Sequence, residues 1–220
     1  VRKYFDDIPR NPSPIVRPLF DRSFRQGNTY KRVEDDIPLE TLFLSYHFDG
    51  FTSDDTQTAE VLASILSDGM SSRLYKALVY DQQIASEVNA YVDDRELSSL
   101  FMVYAVANSP DINCEQLNKN VQTVLGTIAQ NGIETNELLK AQNRLSTRIA
   151  QYYQQVTNIA DEAVHNALFF DDPQRAFQYI DLINKVTMQD VQALARQLFS
   201  VNNQVRTDFV PRSVVPAPGK

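Results

Sequence analysis

The side chains able to carry acid–base, nucleophilic or metal chemistry are few and scattered. The chain has two histidines, His47 and His165, and one cysteine, Cys114. A catalytic zinc ordinarily takes three protein ligands and keeps a position open for water. The helical patterns His-x-x-Glu-His or His-Glu-x-x-His would supply two imidazoles and a glutamate base. Neither pattern occurs. His165 has Glu162 at i−3 and Asp161 at i−4, which places carboxylate and imidazole on one helical face. Di-metal bundles use Glu-x-x-His twice; here it occurs once. His47 lies in an alternating segment beside Phe43 and Ser45, with no carboxylate in view to orient it. Ser71-Ser72-Arg73 reads as a helix cap followed by an ion-pairing arginine rather than an activated nucleophile. No nucleophile elbow, phosphate loop or dinucleotide fingerprint appears among the six glycines. The expectation is no catalytic residue and no metal ligand in this chain. Cys114 alone excludes an internal disulfide or a cysteine cluster, and an unremarkable thiol is expected.

The elements that would position these groups follow from periodicity. A polar strand is expected from Arg25 to Val33. A second strand follows, with Leu42, Leu44, Tyr46 and Phe48 on one face and Phe43, Ser45 and His47 on the other. Asp54 or Asp55 can cap a helix whose Ala59, Leu62, Ala63 and Leu66 share one side. Gly69 suits the left-handed residue just beyond it. A short helix over Ser72–Gln82 leads into strands at Ile84–Val92 and Leu100–Ala107, joined by the polar loop 93–96. Leu117, Val121, Val124, Leu125 and Ile128 mark another helix, closed by Asn131-Gly132. One long helix is expected over Asn136–Phe169, striped by Leu138, Leu145, Ile149, Tyr152, Val156, Ile159 and Ala163. Asp171-Asp172-Pro173 breaks it. A helix with Phe177, Ile180 and Ile183 follows. The last helix has Thr187 as cap and Asp190 three residues later, and Gln204–Val210 forms a final strand. Strands first and last, with helices between, predict an α+β two-layer sandwich whose antiparallel or mixed sheet is covered by helices on one face. Residues 1–23, with four prolines, are expected to be a linker or arm, 24–212 the domain, and 213–220 a loose tail.

At 220 residues with 43% hydrophobic content, the chain is long enough for a substantial core. No apolar run approaches the roughly 18 residues of a membrane span. A first residue of Val suggests a piece of a longer parent, expected in the bacterial periplasm or envelope if that parent carries an upstream signal. The compartment is otherwise unspecified. The net charge of −7 divides unevenly: residues 1–34 hold eight Lys/Arg against four Asp/Glu. The acidic body disfavours nucleic acid, while the basic arm could dock on an acidic partner or be a solvated linker.

The run Asp68-Gly69-Met70-Ser71-Ser72-Arg73-Leu74-Tyr75-Lys76-Ala77-Leu78, continuing into Ile84–Tyr91, resembles a signature of the insulinase or pitrilysin (M16) zinc peptidases in their second, metal-free half. Asp35-Asp36-Ile37-Pro38-Leu39 before the second strand resembles that half's opening. Asp172-Pro173, Tyr179, Ile183, Val186-Thr187, Asp190-Val191 and Ala195 resemble its close. Lys3–Pro9 is similar to the last stretch of a preceding half-domain.

The resemblance implies a metallopeptidase half-domain that forms a wall of a peptide-binding chamber and supports a zinc-bearing N-terminal half, fused or separate. No cofactor is expected in this chain; zinc is expected in the partner half. Peptide substrates and a homo-oligomer are further implied partners. The family's second half commonly supplies an arginine and, seven residues later, a tyrosine directed at substrate. Val79 and Ser86 stand at those positions, so neither role carries over. Arg73, Tyr75 and Tyr80 are the nearby polar candidates, with Arg73 read mainly as a structural pair. The alternative is a scaffold or assembly subunit that kept the fold and lost catalysis.

Overall fold

A computed structural model describes residues 2–9, 12–13, 27–199 and 202–212. A single helical turn, α1 (Arg2–Phe5), begins it; the tail 213–220 and most of the expected arm lie outside the described residues. Strand β1 spans Thr29–Asp35, two residues longer at its end than the sequence predicts. In β2 (Thr41–Asp49), buried and half-exposed residues alternate along the whole strand. Leu42, Leu44, Tyr46 and Phe48 point into the core, as period-two alternation requires.

Helix α2 (Asp55–Ser67) starts at Asp54, but neither aspartate makes a side-chain cap; the Ser53 hydroxyl accepts the Asp55 amide instead, at 3.1 Å. At the other end Gly69 has φ +82°, the left-handed geometry expected of it. The short helix that follows is a π-helix, Tyr75–Asp81, closed by the Gln82 amide on the Ala77 carbonyl at 3.2 Å. It feeds β3 (Ala85–Asp93), β4 (Ser98–Ala107) and α3 (Cys114–Asn131).

The predicted long helix is two: α4 (Thr135–Tyr152) and α5 (Val156–Phe170). No proline or glycine breaks it. Side-chain bonds hold the bend: the Asn158 amide donates to the Tyr152 carbonyl at 2.8 Å, and the Tyr153 hydroxyl donates to Ala176 O at 2.9 Å. One local and one tertiary bond therefore override a continuous apolar stripe. Beyond the bend the stripe fails as a core face, since Val156 is 80% exposed. Helices α6 (Arg175–Lys185) and α7 (Met188–Leu198) follow, then β5 (Gln204–Pro211). Phe177 is exposed rather than buried with Ile183. Thr187 and Asp190 form the capping box that their spacing suggests.

The five strands form one mixed sheet in the order β1-β5-β2-β4-β3; β1 runs parallel to β5 and the other neighbours are antiparallel. Helices α2, α3 and α7 pack on one face of the sheet, with α4 and α6 against α2. The other face carries the half-exposed alternate residues of β2 and β4. Phe43 stacks on Tyr104 at 5.5 Å and meets Phe209 edge-on at 5.4 Å, outside the main core. The architecture is the expected α+β layering, with one sheet face left open among the described residues.

Candidate binding sites at the helix junction and beside Glu60

The signature run 68–75 is held by the amphipathic helix opposite it. Helix α4 presents Glu137, Lys140, Arg144 and Arg148, spaced by three and four residues so that they share a face. Arg73 donates two bonds to Glu137, both at 2.7 Å, and a third to the Gly132 carbonyl at 3.2 Å. Glu137 also accepts the Glu134 amide at 2.8 Å, closing its own helix N-terminus. Burial works against the Glu137 charge, yet these bonds and Lys140 hold its carboxyl below the usual range. Arg144 donates to the Asp68 carbonyl at 2.6 Å and Arg148 to its carboxylate at 2.8 Å, so two cations meet the C-terminal end of α2, where its dipole favours positive charge. Lys140 contacts the Ser71 hydroxyl. Every polar group that could have read as catalytic in Ser71-Ser72-Arg73 is spent on the junction; the Ser72 hydroxyl donates to Gly69 O at 2.7 Å.

The other sequence candidates separate. Tyr75 is half-buried against the core, whereas Tyr80 is 72% exposed. Val79, also on the π-helix, packs against the core. Gln83, with φ +52°, reverses the chain after it. Ser86 falls at an irregularity between Ala85 and Glu87 in the β3–β4 pairing, its hydroxyl donating to the Ala107 carbonyl at 3.1 Å. The positions that the resemblance links to substrate thus hold a half-buried valine packed on the core and a serine turned onto its neighbouring strand. Local geometry is irregular there, with a π-helix, a left-handed residue and a bulge in succession, features that collect at functional sites.

The two histidines lie apart on different elements, β2 and α5. The His47 carbonyl accepts the Asn203 amide at 2.9 Å. The His165 ring sits 4.9 Å from that of Phe51 and 4.8 Å from that of Phe169, which makes it part of an aromatic cluster fastening α5. Phe51 is aimed there because Gly50 lets the chain pass the 93–96 loop; a Cβ on Gly50 would lie 2.1 Å from the Glu96 carbonyl oxygen. Among the described residues, no three of His, Cys, Asp and Glu are grouped to hold a metal. Cys114 is buried at the start of α3. Burial, with Asp208 and Glu40 nearby, pushes its thiol far up, overriding the usual lowering at a helix N-terminus.

One region escaped the sequence reading. A cleft of about 390 Å³ opens between α2, β3, α4, α5 and α6, and a second of about 230 Å³ adjoins it. Glu60, Glu162 and Tyr179 line both. The Tyr179 hydroxyl donates to Glu60 at 2.7 Å. Burial pushes the Glu60 carboxyl up to about 7; Asp94 and Glu162 add to the rise, while Tyr179 and Arg148 oppose it. Burial and Glu60 in turn drive the Tyr179 phenol far above its ordinary value. Glu60 and Tyr179 lie 119 residues apart, so no local pattern could announce the pair. The one available signal was Thr56, Glu60 and Ser64 at four-residue spacing on a single helix.

With fold and sites in place, the chain belongs to the peptidase M16 inactive domain family, which matches residues 1–145. Among curated sequences it is 26% identical over 140 residues to an uncharacterised zinc protease, YmxG, of Bacillus subtilis, covering 64% of this chain and 34% of that protein. Among solved structures, a protease from Helicobacter pylori shares the fold with a TM-score of 0.84 at 22% identity, over 96% of this chain and 50% of that one. A peptidase M16 inactive domain from Pseudomonas fluorescens does so at 0.73 and 16% identity, over 84% of this chain and 44% of that one. The chain spans about a third of the length of the curated zinc protease it matches first. Among the described residues, no helix is long and apolar enough to cross a membrane.

Proposed function

We propose that the chain is the non-catalytic half of a zinc-dependent peptidase, one wall of a peptide-binding chamber that also steadies a zinc-bearing half. The observation that carries this reading is the open sheet face. Phe43, Leu100, Met102, Tyr104, Val106 and Phe209 lie half-exposed on the strands opposite the helices. A mixed sheet with an apolar second face calls for another layer. Unfolded peptide and a homologous half are occupants of the right character. This chain's share of the work is to bind, to orient and to exclude water; zinc in the other half would polarise the scissile carbonyl and activate water.

Mixing the chain with the zinc-bearing half and following cleavage of a fluorogenic unfolded peptide tests this. Cleavage should need both components and fall by roughly tenfold with Met102→Asp, the loss of about 1.4 kcal/mol of association. Equal cleavage by the zinc-bearing half with and without this chain would overturn the proposal. Val79 and Ser86 favour a second reading, a scaffold or assembly subunit in which neither half is active. A His-x-x-Glu-His pattern upstream in the parent reading frame, or in an adjacent partner gene, argues for the peptidase; its absence from both argues for the scaffold.

A further inference from the structure

The paired clefts around Glu60 lie on the helical side of the sheet, away from the open face, and the proposed function makes no use of them. Helix α2 sends Thr56, Glu60 and Ser64 down one stripe, four residues apart. Thr56 and Ser64 are 2% and 6% exposed, and neither hydroxyl has a hydrogen-bond partner. Ser64 lines the larger cleft and Thr56 the smaller. A helical serine or threonine can usually satisfy itself on the carbonyl one turn back; two that do not, on either side of one glutamate, are polar groups awaiting a partner.

The charges around them do not balance. Arg148 is engaged by Asp68 at 2.8 Å, and the Arg175 guanidinium lies over the Phe170 ring at 4.2 Å. Among the described residues, no lysine or arginine forms an ion pair with Glu60 or Glu162. Asp94 joins them at the smaller cleft with His165 beside it. Three carboxylates therefore face two cations that already have partners. The larger cleft adds an apolar lining of Ala63, Leu145 and Ile149, and Tyr152 and Tyr153 line it as well. Its volume falls within the range of about 300–1,000 Å³ usual for small-ligand sites.

We infer that this cleft binds an organic cation, a primary ammonium or guanidinium carried on an aliphatic stem. The head would lie between Glu60 and Glu162 and the stem along Ala63, Leu145 and Ile149. The Ser64 hydroxyl would accept one ammonium hydrogen, and the ring faces of Tyr152 and Tyr153, which line the same cleft, would attract the cation. An anion would meet uncompensated carboxylates, and a neutral alkyl chain would leave the buried hydroxyls and charges unmet. A metal ion lacks a converging set of three His, Cys, Asp or Glu ligands among the described residues. Both free alkylamines and lysine or arginine side chains of a peptide have this chemistry.

Binding should draw the proton from Glu60, because a cation favours the charged carboxylate. The groups facing Glu60 are Tyr179 from α6, Arg148 from α4, Glu162 from α5 and Asp94 from the β3–β4 loop. His165 and Arg175 stand further along the smaller cleft. Affinity should therefore rise between pH 6 and pH 8 as Glu60 ionises.

Calorimetric titration of the 220-residue chain with 1,5-diaminopentane and with Nα-acetyl-lysine methylamide tests this, with 1-pentanol and pentanoate as neutral and anionic controls. The expected result is that at least one cation binds tenfold or more tighter than 1-pentanol, and more tightly at pH 8 than at pH 6. Glu60→Gln should lose the pH dependence, and Glu60→Gln and Glu162→Gln should each weaken binding about tenfold, the weight of one charge-assisted hydrogen bond. The glutamine oxygen can still accept the Tyr179 hydroxyl; should that variant fail to fold, Glu162→Gln and a cleft-filling Ser64→Leu carry the test. Preference for the diamine assigns a free amine as ligand, and preference for the capped lysine assigns a peptide side chain. Cation affinity no greater than that of 1-pentanol, affinity unchanged in the folded carboxylate variants, or tightest binding by pentanoate would each overturn the assignment.

Discussion

The helix junction at residues 68–75 and the cleft beside Glu60 are built from the same two helices, α2 and α4, yet they treat charge in opposite ways. At the junction each charged group has a partner: Arg73 meets the Glu137 carboxylate, Arg148 the Asp68 carboxylate, Arg144 the Asp68 carbonyl and Lys140 the Ser71 hydroxyl. One turn or two up α2, Glu60 faces Glu162 and Asp94 and keeps its proton near neutrality, with two buried hydroxyls unbonded beside it. The first arrangement is what holds a fold; the second is what a fold leaves over for a ligand. The residues with the strongest family likeness are therefore the structural ones, and the more chemically poised group lies where no motif marks it.

Substitutions should divide along that line. Arg73→Ala should cost the most, about 2 kcal/mol in denaturant unfolding, because it strands a half-buried carboxylate and the Gly132 carbonyl together. A loss below about 0.5 kcal/mol would reduce the pair to an ordinary surface salt bridge. Gly69→Ala should cost somewhat less, on the order of 1–2 kcal/mol, from the positive φ of +82° and a Cβ that would lie 2.5 Å from the Arg144 guanidinium. Arg144 can swing aside, which limits the penalty.

Cleft substitutions should do the reverse. Glu60 is a weaker acid folded than unfolded, so its contribution is complete below its ordinary value of 4.5 and disappears as pH rises through about 7. Glu60→Gln should thus stabilise the protein at pH 8 by on the order of 1–2 kcal/mol and change little at pH 4. Thermal melts at both values would show it, and equal shifts at both would contradict a raised carboxyl. Glu137 has the opposite sign: its lowered carboxyl gives stability that is present above its ordinary value and lost as pH falls through the folded one. Glu137→Gln should therefore flatten the acid limb of the stability profile. The smallest effect is expected from Ser64→Ala, neutral or stabilising by less than about 1 kcal/mol, since no bond is broken and a buried hydroxyl is removed.

The sequence speaks clearly wherever a pattern is local. The alternation 42–48, the α2 stripe, the Gly69 reversal and the Thr187–Asp190 box are all set by neighbours within a turn or a strand, and each is found in the structure. The bend at 153–155 is only partly local: Asn158 bonds back to the Tyr152 carbonyl, but Tyr153 reaches the Ala176 carbonyl on α6, against a stripe that reads as continuous. The π-helix over Tyr75–Asp81 replaces a helix whose existence, but not pitch, was legible. Gln142 shows the same limit, its buried amide donating to the carbonyls of Ile183, Asn184 and Val186 to close α6. The cleft was least visible of all, since its walls come from five elements and its central bond joins α2 to α6.

The central claim is that this chain lends surface rather than chemistry to a zinc-dependent partner. Zinc titration of the chain on its own, followed by calorimetry, tests it most directly. No stoichiometric tight site is expected; a one-to-one complex that His47→Ala or His165→Ala abolishes would contradict that role.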